Sequence, residues 1–313
     1  MVGTRQVRAW NSCDDQKAGR VVAVRCRMPL PSDYTELSAA NLDGRRVEAL
    51  WTFRASSAGD HLVLPDGRMD LIVRFRVSEE GEILAPRLVL IGPSQRPSHV
   101  PCEQGDCFFG LRFRAGWGGA CLGLAPASLR DSALRGDAAA KHLGPDATLL
   151  LSAGRMPVLQ ARMVALAGRR AQRATGIAGG AMDALNLMHL SAGRLTLTEV
   201  ARLVDVPERS LRRQITAAVG LPYKAFGSVL RFQWTLRLLS QAGSTSPLTL
   251  AQAAAEGGYS DQAHMTREFR RHGGFTPGRR QPATLVGLPL GTEADAAEIF
   301  KTRASGAAYA GAH

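Results

Sequence analysis

Between residues 45 and 114, short apolar runs alternate with turn-forming clusters. "RVEALWTF", "HLVLPDG", "MDLIVRFRV", "RLVLIG" and "CFFGLRFR" are separated by Gly, Pro, Ser and acidic residues, the spacing of successive strands. Leu71, Val73 and Phe75 alternate with Asp70, Arg74 and Arg76, which predicts a sheet with one core face and one wet face. Arg112 and Arg114 alternate with Leu111 and Phe113, so both arginines fall on one face. That face is either solvent or the wall of a cavity for an anionic effector. The expected unit is a β-rich barrel or sandwich over residues 36–131, preceded by an irregular lead-in over 1–35 that "MPLPSD" closes.

Beyond it the period changes. "APASLRDSALRGDAAAKHLG" and "PVLQARMVALAGRRAQRA" have helical spacing, and the Gly-rich "TGIAGGA" at 175–181 follows them, so 132–180 reads as connecting helices and a hinge. Residues 181–281 are helical throughout. The Ala- and Gly-rich 282–313 hold too few large apolar residues for a core and read as a flexible tail. The expected fold class is therefore α+β and multidomain, with a β-rich first half and an all-α second half.

The helical half repeats itself. Leu195, Leu197, Ala201 and Val206 correspond to Leu248, Leu250, Ala254 and Tyr259 at a separation of 53, and Leu211, Ile215 and Gly220 correspond to Met265, Phe269 and Gly274 at 54. Each unit is a helix, a tight turn and a second helix. Thr198 and Thr249 lie near the first helices' starts, where a hydroxyl can cap free amides. Glycines 220, 273 and 274 lie near the second helices' ends. Such a helix-turn-helix places its second helix in the major groove of a duplex while the first crosses the backbone. With Leu211 and Ile215 inward, Arg209, Arg212 and Arg213 share the outer face. With Met265 and Phe269 inward, Ala263, Thr266, Arg267 and Arg270 face out, and Gln262 and His264 lie near the helix start. Arg can grip guanine O6 and N7, Gln can do the same with adenine, and Ala can rest on a thymine methyl. Between the units, Phe226, Leu230, Trp234 and Leu238 recur every four residues, predicting one helix of about 19 residues and about 28 Å.

Charge sharpens this picture. The chain carries a net charge of +12, and residues 151–282 hold 18 Lys and Arg against 7 Asp and Glu, a net of +11. A basic half of this kind is the footprint of a polyanion binder. No apolar run approaches a membrane span, and the N-terminal residues lack the apolar core of a secretory signal, so a cytoplasmic protein is expected.

"GGYSDQAHMTREFRRHGGFTP" at 257–277 and the linker "RFQWTLRLL" resemble the paired helix-turn-helix domain of AraC/XylS-type transcription regulators. The resemblance implies base contacts from Arg209, Arg212, Arg213, Gln262, Ala263 and Arg267. These lie on the faces already picked out by stereochemistry. Phosphate contacts are expected from Thr198, Arg202, Lys224, Arg231, Thr266, Arg270 and Arg271. Two departures, "GLPY" and the extra Gly of "HGGF", fall at helix ends. "HLVLPDGRMDLIVRF", "LIGPSQRP" and "GLRFRAGWGGACLGLAPASLRD" resemble a β-rich domain of unknown function found ahead of this DNA-binding domain in bacterial regulators. In the wider family such a domain is a sensor or dimerisation module, often a cupin-like barrel.

The implied function is sequence-specific control of transcription, with double-stranded DNA and RNA polymerase as partners and a small-molecule effector at the first domain. Neither a cofactor, a metal nor a catalysed reaction is expected. Both a homodimer and a monomer that binds through its two units are compatible with the sequence. Two rivals remain in view. Five cysteines, at 13, 26, 102, 107 and 121, form no C-x-x-C pair. Cys102, Cys107 and Cys121 motivate a thiol-modified sensor coupled to the same DNA domain, and the basic half alone also suits a nonspecific DNA-coating protein. His61, Asp66, Asp70 and His99 lack metal-ligand spacing, and the Pro-Asp-Gly of 65–67 is a turn signal.

Overall fold

The computed structural model describes residues 34–37, 42–241 and 248–278, together with two short strands at 23–24 and 285–286. Cys13, Cys26, the rest of the lead-in and the rest of the 282–313 tail lie outside the described residues. The strands are β1 (Ala23–Val24), β2 (Tyr34–Leu37), β3 (Val47–Arg54), β4 (Gly59–Val63), β5 (Met69–Val77), β6 (Ile83–Ile91), β7 (Ser98–Cys102), β8 (Cys107–Phe113), β9 (Ala133–Arg135) and β10 (Leu285–Val286). Helices α1 (Trp117–Leu122), α2 (Asp137–Leu143), α3 (Pro145–Leu151) and α4 (Met156–Arg173) follow the main sheet. The second half holds α5 (Gly179–Leu190), α6 (Leu197–Val204), α7 (Glu208–Val219), α8 (Tyr223–Gln241), α9 (Leu250–Glu256) and α10 (Gln262–Gly273).

Seven strands form an antiparallel sheet in the order β1-β2-β3-β8-β5-β6-β9. One face carries Leu50, Leu71, Val73, Leu88, Leu90, Phe109, Leu111 and Phe113, the core residues that strict alternation requires. Helices α2–α4 cover that face through Leu143, Leu150, Leu159, Met163 and Leu166, so residues expected to connect also close the core. Each such side chain, once fully buried, contributes roughly 1.5–3 kcal/mol.

The opposite face departs from the expected wet surface. A second sheet, β10-β4-β7, stands over it. Strand pairing lays the face out in three rows. The first runs Ala49, Arg112, Asp70, Ile91; the second Glu36, Trp51, Gly110, Ile72, Val89, Arg135; the third Tyr34, Phe53, Phe108, Arg74, Arg87. Gly110 is required there because a Cβ would collide with the Trp51 indole that lies across it.

The helical units are built by their caps. Thr196, and not Thr198, caps α6: its hydroxyl accepts from Glu199 N at 3.2 Å, and the Glu199 carboxylate accepts from Thr196 N at 2.7 Å. Thr198 lies inside the helix, and its hydroxyl donates to Glu208 of α7 at 2.6 Å. Thr249 caps α9 as expected, in the same reciprocal arrangement with Gln252. Gly220 (φ 81°) and Gly274 (φ 76°) end α7 and α10 in the left-handed conformation that favours glycine.

Helix α8 has 19 residues and joins the units. Phe226 and Leu230 enter the first unit's core with Leu211 and Ile215, while Phe232 and Leu236 enter the second's with Met265 and Phe269. Trp234 and Leu238 are only half-buried. The four-residue period finds the helix but misses its second buried face, because α8 is held between two units.

The two halves of the chain are seated on each other. Leu62 and Leu64 share a core with Phe232, Leu236 and Phe269. Gln233, buried in α8, donates to the Pro65 carbonyl at 2.6 Å, and Arg130 Nε donates to the Gly220 carbonyl at 2.8 Å. His272, fully buried, donates from Nδ1 to the Gln95 carbonyl at 2.6 Å, while its Nε2 lies 2.7 Å from the Ser228 hydroxyl and 3.3 Å from the Glu268 carboxylate.

Candidate nucleic-acid interface

The second helix of each unit buries one stripe and exposes the other. In α7, Leu211, Ile215 and Val219 are buried; Arg209, Arg212 and Arg213 are exposed, and none makes an ion pair among the described residues. In α10, Met265 and Phe269 are buried, while Gln262, Ala263, Arg267 and Arg270 are exposed. Asp261 caps α10 by accepting from His264 N at 2.6 Å, which fixes where its exposed face begins. Unpaired guanidiniums on two helix faces are free to exchange water for phosphate or base edges at no cost in broken ion pairs.

The remaining candidates divide. Arg202, Lys224 and Arg270 are exposed. Arg231 is half-buried, and its Nη1 donates to the Gly193 carbonyl at 2.8 Å, tying α8 to the end of α5. The Thr266 hydroxyl donates back to the Gln262 carbonyl at 2.8 Å. Arg271 reaches Gln95 Oε1 at 3.4 Å and Glu268 at 3.8 Å, so it faces the first domain. Thr198, Arg231, Thr266 and Arg271 thus already have partners within the protein. Sequence reasoning also missed Arg194, whose Nη1 donates to the Glu256 carbonyl at 3.0 Å and clips the two units together.

Residues 200–281 match the family described as a helix-turn-helix domain, and residues 44–135 match a domain of unknown function (DUF6597). The second half carries an AraC-type helix-turn-helix domain. A curated relative is the HTH-type transcriptional regulator RipA of Corynebacterium diphtheriae, 30% identical over 94 residues. That stretch is 30% of this chain and 27% of RipA. Among solved structures, the C-terminal domain of AraT, a response regulator from Geobacillus stearothermophilus, has 21% identity and a TM-score of 0.31, covering 34% of this chain and 91% of that domain's chain. ToxT from Vibrio cholerae has 10% identity and a TM-score of 0.38, covering 72% of this chain and 94% of its own.

Ahead of the AraC-type domain, a cavity of about 410 Å³ lies between the two sheets. Tyr34, Trp51, Phe53, His61, Ile72 and Phe108 form much of its apolar wall. Arg112 lines it, the cavity alternative of the two the sequence left open, but is not free: its guanidinium lies 3.4 Å from Asp70, 3.4 Å from Glu36 and 3.8 Å from Asp66. Arg114 is not among the lining residues; its Nε donates to the Gly44 carbonyl. The paired effector arginines of the sequence reading are therefore separated, because the strand ends at Phe113 and alternation ends with it.

Cys102, Cys107 and Cys121 are buried and unlinked. Burial pushes all three thiols up, Cys121 to about 11, so the nucleophilic thiolate is disfavoured at each. His61 stacks edge-on to Phe53 at 5.0 Å, and His99 is exposed. Among the described residues no group of three or more His, Cys, Asp or Glu is placed to hold a metal ion, and no helix is long and apolar enough to cross a membrane.

Proposed function

We propose that this chain is a sequence-specific DNA-binding transcription regulator whose first domain controls its second. The observation that carries the reading is the pair of exposed arginine faces on α7 and α10, unpaired and held on a common helix α8. Arg209, Arg212, Arg213, Gln262, Ala263 and Arg267 read base edges in this proposal, and Arg202, Lys224 and Arg270 hold phosphates.

The position of the cavity supports control by an effector. Leu64, Pro65 and Asp66 line it, and Pro65 also accepts the hydrogen bond from Gln233 of α8. Ser94 and Arg96 line it, and Gln95 between them binds His272 of α10. A ligand that moves either loop moves a helix of the DNA-binding half, which is the differential contact a switch requires. RNA polymerase as a partner rests on the family resemblance alone.

Fluorescence anisotropy tests the reading, with DNA from upstream of the protein's own and neighbouring genes titrated at several salt concentrations against a scrambled duplex. Tight, sequence-dependent binding with a steep salt slope is expected. Equal affinity for both duplexes, followed by no enriched sequence in genome-wide site selection, leaves a nonspecific DNA-coating protein instead.

A further inference from the structure

We propose that the cavity between the two sheets binds an amphipathic organic cation, its charged head against Asp66 and Asp70 and its apolar body along Phe53, Ile72 and Phe108. Two independent features of the cavity lead there.

The first is an imbalance of buried charge. Around the first row, among the described residues, Glu36, Glu48, Asp66 and Asp70 pair with two guanidiniums, those of Arg68 and Arg112. Arg68 is taken by Glu48. Arg112 is shared among the other three carboxylates at 3.4–3.8 Å, and its two-point contact with Asp70 is long, 3.4 Å through both Nε and Nη2. Trp51 Nε1 donates to Asp70 at 3.2 Å, and Tyr34 donates to Glu36 at 2.8 Å, which eases the excess without neutralising it. Burial accordingly pushes the Asp70 carboxyl up to about 6 and raises Glu36. A cation in the cavity supplies the missing charge.

The second is the wall. Tyr34 and Trp51 stack at 5.8 Å, and Phe53 and Phe108 meet at 5.7 Å, so the cavity presents the aromatic surfaces that attract organic cations. His61 completes the wall at 6% exposure, and its buried Nδ1 has no hydrogen-bond partner among the described residues, which marks an unfilled polar position. Its volume suits a compound of small-drug size.

Arg74, Arg87, Arg96 and Arg135 also line the cavity; Arg74, half-buried over the Phe108 ring, is neutralised by Asp106 at 2.6 Å, and the other three are exposed. Water screens them, whereas the carboxylates of the first row are largely withdrawn from it. Arg87 lies one row beyond Val89 and two beyond Ile91, the partner of Asp70, which puts it about 13 Å from the acidic end. An anion held at this rim leaves the floor unneutralised.

The ligand's role as an effector rests on the regulatory reading above; its binding does not. Three compounds of one shape separate the chemistries: 4-phenylbutylamine, 4-phenylbutanol and 4-phenylbutyrate, titrated calorimetrically into the full chain at pH 7.5. The amine is expected to bind at least tenfold more tightly than the acid, with the alcohol between them. Asp70→Asn, which keeps the shape and removes the charge, should weaken the amine at least fivefold and leave the alcohol unchanged. Asp66→Asn serves the same purpose should Asp70→Asn fail to fold, as judged by circular dichroism. Equal or tighter binding of the acid, no binding of any of the three, or an amine affinity indifferent to both substitutions overturns the proposal. Amine binding that leaves DNA affinity unchanged sustains the site and removes its role as an effector site.

Discussion

Replacing Gly67 by alanine tests whether the first domain is seated on α8 through the turn at Asp66 and Gly67. Gly67 has φ +71°, and a Cβ built there lies 2.6 Å from Cε2 of the fully buried Phe226. The left-handed backbone costs an L-residue roughly 1–2 kcal/mol. Forcing a methyl into a packed ring adds roughly 1–3 kcal/mol. The expected loss of stability is therefore roughly 2–5 kcal/mol. Urea unfolding followed in parallel by far-UV circular dichroism and tryptophan fluorescence measures it. A lower midpoint with an unchanged slope means strain within a seated structure, and a split into two transitions means the halves have come apart. Adding Phe226→Leu should relieve the packing part, so the double variant loses less than the sum of the singles. A Gly67→Ala protein within about 0.5 kcal/mol of the parent, the range of neutral surface changes, would refute the seating.

On DNA, Arg267→Ala is predicted to cost about 1–3 kcal/mol at the preferred site and far less on random duplex, whereas Lys224→Ala should weaken both alike and reduce the salt slope by about 0.9. Anisotropy titrations at several salt concentrations distinguish the two, and equal losses on both duplexes for Arg267→Ala would remove its base contact. Thr196→Ala should lower stability by about 1 kcal/mol in urea unfolding, since it removes the cap of α6, and Thr198→Ala should cost less. His189 gives a pH signature. Burial, with Arg68, Arg114 and Arg237 nearby, pulls its imidazole down to about 3, while the unfolded chain takes a proton near 6.5. Its contribution is thus present above pH 6.5 and lost as pH falls toward 3. Asp70 and Glu36, both raised, act in the opposite sense, so the comparison is with His189→Gln, whose stability should fall less over that window. Parallel profiles for the two proteins would exclude His189 as the cause.

The helical half was legible because its constraints are local. The stripe of Leu211 and Ile215, the stripe of Met265 and Phe269, and the capping Thr249 are fixed within one turn or one helix, so spacing reveals both units and their outer faces. Thr198 was misread as a cap because two threonines stand two residues apart and only the backbone decides between them. The β domain hid more. Asp70 and Arg74 flank Ile72, and a charge at every second position reads as a wet face. The second sheet that closes over that face comes from β4 and β7, and pairing between such distant segments leaves no periodic trace. The partners of Arg231 and Arg271 across the chain, the Gly193 carbonyl and the Gln95 amide, were hidden for the same reason, since neither carries a charge that pairing could reveal.

Helix α8 gives one further consequence, concerning the phase of a binding site. Its first half is locked into one core by Phe226 and Leu230 and its second half into another by Phe232 and Leu236, so the two reading heads turn as one body. A base pair inserted between the two half-sites rotates one past the other by about 35°, given 10–10.5 base pairs per turn. The helix can follow that rotation only by opening a core. Natural operators for this protein should therefore keep a fixed number of base pairs between half-sites, even where the bases in that interval vary freely.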